Sequence, residues 1–528
     1  MQKKSLVKSG IALSLATLLS RILGLVREMT KAAFLGTGAL ADAFGIAFQL
    51  PNLFRRLFAE NSVSVAFIPT FRSFAEKEKL QNENAKDTQD FISSTFTLVS
   101  FLTSLVAIVG MLASPLIIKL LYGTVDSETV PEAIFLTRFM FPYLALVSVA
   151  ALFQGILNGE NIFVPSGFSP VLFNTIVVVA TFAFAPHIKN PARAMAIGVI
   201  VGGAVQAAFQ LPFVLKKTKY RIAFTSIANA FKNRGTREVI SLVLPTIVGM
   251  AAYQVNDIVS SLLAKRSGTG VYASLQYSLR LQELMLGIFA VSIGSVILPS
   301  LASFASLKKW EDFETLFVRA AKIMLLISIP ITFYSLVYGK EIISLVYKTK
   351  RFDENSTMMT LQVFRFHMIG LSAIALNRIA SPAFYAQKNT RLPTLAGLFN
   401  FAVNIALASI LVKPMKGAGI ALALSVASFA NTLFLFLALP HLHTISAKKI
   451  ARSLFLYTLK IIAFSIIATI PVFLLRERLV TLFAGHSRLI SDGAVLLVSS
   501  LIFGTIGALL LIVTRDEIAK ATMNKMRK

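Results

Sequence analysis

Residues 11–36 read "IALSLATLLSRILGLVREMTKAAFLG". About 20 mostly apolar residues suffice to cross a bilayer as a helix, so the run is long enough. Yet Arg21, Arg27, Glu28 and Lys31 lie inside it. A charge at a helix centre costs about 2.5–3.5 kcal/mol on insertion scales, while each Leu returns only about 0.3–0.6. Four charges in one span are tolerable only if they meet water, protein or one another. At about 100° per residue, with Arg21 at zero, Glu28 falls at about −20°, Lys31 at about −80° and Arg27 at about −120°. All four share roughly one third of the wheel, and the rest is mostly Leu, Ile, Val, Met, Ala and Thr. The stretch reads as a spanning helix whose polar face looks inward.

The pattern continues along the chain. Its 528 residues are 55% hydrophobic and 15% charged, with a mean hydropathy of +0.72. Apolar runs of spanning length recur from end to end, without the short two-residue alternation of a β-barrel. The reading is an all-α polytopic membrane protein with about fourteen transmembrane helices. The expected spans are 9–35, 40–71, 91–121, 133–157, 163–186, 194–215, 239–264, 271–304, 315–346, 358–386, 393–412, 417–439, 452–475 and 489–514. The second and eighth exceed one straight crossing, and Pro51 is a candidate bend. "GVIVG" (198–202) has the small-xxx-small spacing of a helix-packing face. The basic opening "MQKKSLVKSG" leads into an apolar run that charges interrupt, so a retained first helix is expected rather than a cleaved signal.

Net charge is +27 and the sequence pI about 10.2. In a soluble domain that would suggest nucleic acid; in a membrane protein it reflects Lys and Arg gathered on the cytoplasmic side, so no nucleic-acid partner is expected. Segments 72–90, 216–238, 440–451 and 515–528 carry the Lys and Arg, whereas "YGTVDSETVPE" (122–132) has none. That asymmetry puts both termini in the cytoplasm. There is no Cys, which excludes disulfides and thiolate metal sites.

An internal repeat is visible. "PTFRSFA" (69–75) matches "PSLASFA" (299–305), "LIIKLLY" (116–122) resembles "EIISLVY" (341–347), and "LFN" recurs at 172–174 and 398–400. The offset is about 225–230 residues each time. Each half would hold six spans, an even number, so the repeat is parallel and related by an axis along the membrane normal. The expected organisation is an N-terminal six-helix lobe over 1–215, a basic cytoplasmic linker over 216–238, a C-terminal six-helix lobe over 239–440, and two extra helices with a basic tail over 441–528.

Further charges lie at membrane depth. Asp42 opens span two; Asn52, Arg55, Arg56 and Glu60 follow in "LPNLFRRLFAE". Asn256 and Asp257 lie in span seven, Arg280 and Glu283 in span eight, and Arg365, His367, Asn377 and Arg378 in span ten. Most come from the first two spans of each half, which a parallel repeat would bring to one central cavity. Lys31 and Arg56 can instead snorkel to headgroups, Glu28 can be an internal counter-ion, and Arg365 and Arg378 can be interhelical ties. Arg21, Arg27 and Arg280 have the least reason to exist except to line a cavity. An excess of guanidinium suits an anion, because the planar fork pairs bidentately with phosphate and stays charged when partly dehydrated. From the residues alone, the function is that of a two-lobed transporter for an anionic solute.

These residues resemble the MurJ/MviN family of bacterial lipid II flippases. The resemblance is carried by "SRILGLVRE" (20–28), "ADAFGIAFQLPNLFRRLFAENSVSVAFIPTF" (41–71) and "RLQELMLGIFAVSIGSVILPSLA" (280–302), and it extends over essentially the whole chain. It implies fourteen helices, two six-helix lobes, a hydrophobic groove from the last two helices, and membership of the multidrug/oligosaccharidyl-lipid/polysaccharide exporter superfamily. It implies lipid II as substrate, moved across the bacterial cytoplasmic membrane for peptidoglycan synthesis by alternating access. It marks Arg21, Arg27, Glu28, Asp42, Arg55, Arg280 and Glu283 as cavity positions, with Asn52 beside them and Lys31, Asp257, Arg365 and Arg378 as secondary candidates. Two positions depart from the family: Glu28 stands where Asp is frequent, and Leu279 where an acidic residue commonly precedes the span-eight Arg. Neither cofactor nor metal is expected, and a monomer is. The competing readings are an exporter of another anionic lipid-linked oligosaccharide, a drug or ion exporter with a more acidic cavity, and a membrane glycosyltransferase. The last lacks room, since the outer loop 347–357 is too short for a catalytic domain and the five His are scattered, with "HLH" (441–443) reading as a solvated loop.

Overall fold

The computed structural model describes residues 2–57, 66–81, 85–122, 129–443 and 446–520. All regular structure among these residues is helical. The chain divides into two compact units, Met1–Ala273 and Ser274–Lys528.

The first unit holds α1 (Gln2–Leu35), α2 (Ala39–Arg55), α3 (Ile68–Gln81), α4 (Ala85–Tyr122), α5 (Val130–Met140), α6 (Tyr143–Gly159), α7 (Val164–Phe184), α8 (Pro191–Lys217), the short α9 (Ile227–Lys232) and α10 (Arg234–Arg266). Local chemistry sets the helix starts. Pro191 opens α8, where its missing N–H is not needed, and Asn190 caps it by accepting from the Ala192 N–H at 2.9 Å. Asn233 caps α10 in the same way, through the Thr236 N–H at 3.1 Å. α7 packs on α1 and α8, α6 on α4 and α8, and α2 on α5. α10, which the repeat groups with the second half, packs on α2, α3, α4 and α9.

Lipid tails are as apolar as Leu, so these helices associate through close packing and internal hydrogen bonds rather than the hydrophobic effect. The small-residue face of α8 shows how. A Cβ on Gly198 would lie 2.9 Å from the Val177 Cα of α7, and one on Gly202 would lie 2.9 Å from the Phe173 ring. At the base of the unit, Phe67, Phe71, Phe91 and Phe74 stack in series, with centroids 5.1–5.8 Å apart, against Tyr220 and the α6 residues Leu152 and Ile156.

The second unit contains most of α11 (Val271–Ser306), then α12 (Trp310–Tyr347), α13 (Glu354–Ile369), α14 (Leu371–Ala386), α15 (Arg391–Leu437), α16 (Ala447–Leu482) and α17 (Arg488–Val513). α13 and α14 meet at 42°. α15 breaks at Lys416, which takes φ 49° and ψ −129°, just after Pro414. The two arms of α15 then touch so closely that a Cβ on Gly419 would overlap the Leu411 carbonyl.

A polar ladder on α12 holds α16 and α17. The Tyr334 hydroxyl donates to the Leu496 carbonyl at 2.9 Å and lies 2.8 Å from Ser499 Oγ. The Tyr338 hydroxyl donates to the Val472 carbonyl at 2.8 Å. Glu341 accepts from Arg476 Nη2 at 2.7 Å, and the Ser344 hydroxyl donates to Asp492 at 2.5 Å. These residues recur every three or four positions, so they fall on one face of the helix. Interhelical hydrogen bonds of this sort are worth about 0.6 kcal/mol each in a membrane.

By length and composition, eight helical segments among the described residues can cross a membrane, and the bent α13–α14 pair makes a ninth. The expected eleventh and twelfth spans are the two arms of α15, and the first, second, seventh and eighth correspond to α1, α2, α10 and α11. The fourth is broken between α5 and α6 at Phe141–Pro142, and the expected second span ends as α2 at Arg55. Glu60 and most of "YGTVDSETVPE" lie outside the described residues.

Replacing Gly198 by Val forces α8 away from the α7 backbone. We expect Gly198→Val to lower stability by about 1–3 kcal/mol, the usual penalty of overpacking, seen as a reduced Tm in detergent.

Candidate functional site

On α1 the charged face has one side on protein. α1 packs on α7, where the Asn174 side-chain amide donates to the Ser20 carbonyl at 3.2 Å. Arg27 pairs with Glu28 at 2.8 Å, and both side chains are mostly covered, at 16% and 10% exposure. The Arg27 guanidinium also lies 5.8 Å from the Phe173 ring centroid on α7, within cation–π range. Lys31 is buried beside this pair, while Arg21, nearly two turns earlier, is exposed. α1 therefore presents one guanidinium held by a carboxylate and an aromatic ring, and another open.

Asp42 behaves differently from the cavity role that the sequence suggests. It is fully buried. Its carboxylate accepts from the backbone N–H of Gly270 at 2.8 Å and of Ala273 at 2.9 Å, and from Lys265 Nζ at 3.3 Å. Lys265 ends α10, Gly270 lies in the turn between α10 and α11, and Ala273 is in the first turn of α11, whose N–H groups have no partner within the helix. A carboxylate there satisfies them and meets the positive end of the helix dipole. Asp42 is a structural tie that closes this turn. Sequence spacing could not show it, because the groups it satisfies are backbone amides 228 and 231 residues away.

Further along α2, Asn52 Oδ1 accepts from Arg55 Nε at 2.8 Å, which fixes the orientation of the guanidinium at the helix C-terminus. Gln49, one turn before, donates to Ser261 Oγ of α10 at 2.9 Å. A cleft between α2, α4 and α10 has a volume of about 10 Å³, is lined by Ile46, Gln49, Leu53, Ile258 and Ser261, and has room for about one water. Asp257 is half-buried on the same helix as Ser261.

In the second unit, α11 divides its faces. Ser278, Leu281 and Gln282 are buried; Ser278 Oγ lies 2.6 Å from His367 Nδ1, and the Gln282 amide donates to the His367 carbonyl. Arg280 and Glu283 lie off this face, paired at 2.8 Å with side-chain exposures of 41% and 58%. The packed face orients α11, and the ion pair is left accessible. Arg280 finds its carboxylate three residues ahead, so Leu279 in place of an acidic residue does not leave this guanidinium unmatched. Glu28 likewise meets Arg27 with a side chain one methylene longer than Asp. Arg365 and Arg378 are exposed on α13 and α14, and Asn377 beside Arg378 ties α14 to α15 by accepting from the Thr432 hydroxyl at 3.0 Å.

Within the units, the structure joins Arg27 with Glu28, Asn52 with Arg55, and Arg280 with Glu283. A family model described as lipid II flippase MurJ matches residues 31–490. The chain belongs to this family. A probable lipid II flippase MurJ from Treponema pallidum is 45% identical over 526 residues, 99% of each chain. The lipid II flippase MurJ of Burkholderia cenocepacia is 29% identical over 439 residues, covering 82% of this chain and 84% of that one. Among solved structures, a lipid II flippase MurJ in an inward closed conformation superposes with a TM-score of 0.77 at 26% identity, over 96% of this chain and all of that one. An inward-facing multidrug transporter of the MATE family shares the fold alone, with a TM-score of 0.66 and 14% identity over 84% of this chain and 98% of that one.

The two kinds of charged residue should separate in experiment. We expect Asp42→Ala to lower the Tm markedly, because it removes the buried carboxylate that accepts from the Lys265 ammonium and from two backbone N–H groups, a loss of about 3–5 kcal/mol. Arg280→Ala, which removes an exposed i,i+3 pair, should leave the Tm within about 1 °C, consistent with the few tenths of a kcal/mol of such pairs.

Proposed function

We propose that this protein flips lipid II, the lipid-linked peptidoglycan precursor, from the inner to the outer leaflet of the bacterial cytoplasmic membrane by alternating access. The observation that carries the reading is the match to the family over nearly the whole chain, with 45% identity to a relative of the same length. The chemistry agrees. Lipid II carries a pyrophosphate, a sugar–peptide headgroup and a polyprenyl tail. Arg21, Arg27 and Arg55 of the first unit and Arg280 of the second are the guanidinium groups that engage the pyrophosphate. Glu28, Asn52 and Glu283 aim these groups and keep the net charge of the site low enough for release. Lys31, Asp257, Arg365 and Arg378 contribute secondary contacts to the headgroup.

The tail stays in hydrocarbon along α16 and α17, whose outward faces carry exposed Leu474, Leu482, Leu497 and Val513. No bond is made or broken, so the protein acts as a transporter and not as an enzyme. It works as a monomer with both termini in the cytoplasm, as the Lys/Arg asymmetry of the loops suggests. Six spans in each repeated half, joined by the basic segment 216–238, supply the two bodies that alternate.

Depletion of the protein in cells with no other flippase should stop labelled lipid II from reaching the outer leaflet of spheroplasts; arrival at an undiminished rate would refute the assignment. Charge-assisted hydrogen bonds are worth about 1.5–3 kcal/mol, so Arg27→Ala and Arg280→Ala should each slow flipping about 10- to 100-fold in protein that still inserts. Full flipping by both variants would remove the phosphate-holding role while leaving the family intact.

A further inference from the structure

The segment joining α8 to α10 concentrates charge that the transport reading does not use. Residues 216–237 carry seven Lys or Arg and no Asp or Glu. The segment is pinned as a strap across α4. The Gln89 side chain brackets Arg221, accepting from its N–H at 2.9 Å and donating to its carbonyl at 2.7 Å. The Thr225 N–H donates to Thr97 Oγ1 at 3.0 Å, and the Tyr220 ring sits edge-on to Phe71 at 5.3 Å. Ser226 caps α9 through the Asn229 N–H at 3.2 Å, and Arg237 Nε donates to the Phe231 carbonyl at 2.9 Å.

This fixation holds apolar side chains outward. Phe224 is 71% exposed, Ile227 40% and Phe231 43%. Around them Lys216, Lys217, Lys232 and Arg234 are all exposed. The strap also leaves directly from the end of α8, a helix long and apolar enough to span the membrane. Aromatic and aliphatic side chains beside a cluster of one-sign basic residues, at the end of a spanning helix, are the makeup of an interfacial element. Lys219 is paired with Glu78, and the net positive charge of the rest of the strap selects an anionic surface over a neutral one.

We propose that the strap over residues 218–233 docks on the chain's own bilayer, seating Phe224, Ile227 and Phe231 at headgroup level while the flanking basic residues hold anionic phospholipid headgroups. The strap thereby fastens the junction between α8 and α10 to the lipid surface in a composition-dependent way. Neither substrate identity nor transport enters the inference.

The test uses the full chain in nanodiscs. The sequence has no Cys, so Ala228→Cys, at an exposed position on α9, provides a single site for a bimane label. Quenching by a headgroup-proximal spin-labelled lipid is compared in phosphatidylcholine discs and in discs with about one third phosphatidylglycerol. We expect at least about twofold stronger quenching in the anionic discs, with the excess lost in about 1 M NaCl, where the Debye length falls to about 3 Å. The variant K216Q/K217Q/K232Q/R234Q should lose the excess without salt. Equal quenching in both discs, or an excess insensitive to salt, would overturn the proposal. So would a label shielded from both the lipid quencher and aqueous iodide, which would point to a protein partner. If the fourfold variant does not fold, the salt arm on the otherwise unaltered chain decides the question.

Discussion

A charge in hydrocarbon has to be matched, and much of this structure follows from how the matching is done. Arg27 meets Glu28, Asp42 meets Lys265, Arg280 meets Glu283 and Glu341 meets Arg476, each at 2.7–3.3 Å. The pairs differ in what surrounds them. The side chains of Asp42 and Lys265 are 0% and 2% exposed, and backbone amides saturate the carboxylate, so that pair is locked. Arg280 and Glu283 remain accessible, and a guanidinium whose counter-ion faces water can exchange it for an incoming phosphate. Burial thus divides the intramembrane charges into those that fix helices and those that can meet a ligand.

The helical architecture was largely legible in the sequence because hydrophobic length is a strong signal in a chain that must cross a bilayer. Runs such as 91–121 and 489–514 correspond to α4 and α17 within a few residues. Not every bend could be read from the sequence. The α13–α14 break of 42° falls at Gly370, which has Ser425 of α15 hard against it, so the bend is a matter of tertiary fit. The reversal at Lys416 is easier to anticipate, since Pro414 disfavours helical continuation and a positive φ completes the turn.

The charged candidates at membrane depth were legible by type and periodicity, less so by what they pair with. The wheel of α1 put Arg27 and Glu28 on one arc, and the structure pairs them. Asp42 looked similar in sequence, yet its partners are main-chain groups, which carry no residue-type signature. Lys265 was missed for a related reason: at the end of a span it reads as a snorkelling cation, and only folding shows that its ammonium is covered. His367 was singled out at membrane depth, but its partners were not: its ring and carbonyl anchor α11 through Ser278 and Gln282.

The ladder along α12 bears on more than stability. Because Tyr334, Tyr338, Glu341 and Ser344 grip both α16 and α17, the last two helices are not a loose annex. A tilt of α12 would be passed to them through these bonds, the three helices moving as a block. A long isoprenoid chain lying on α16 and α17 would then be hauled through the leaflet by that block, in step with its headgroup, without having to slide along a stationary rail.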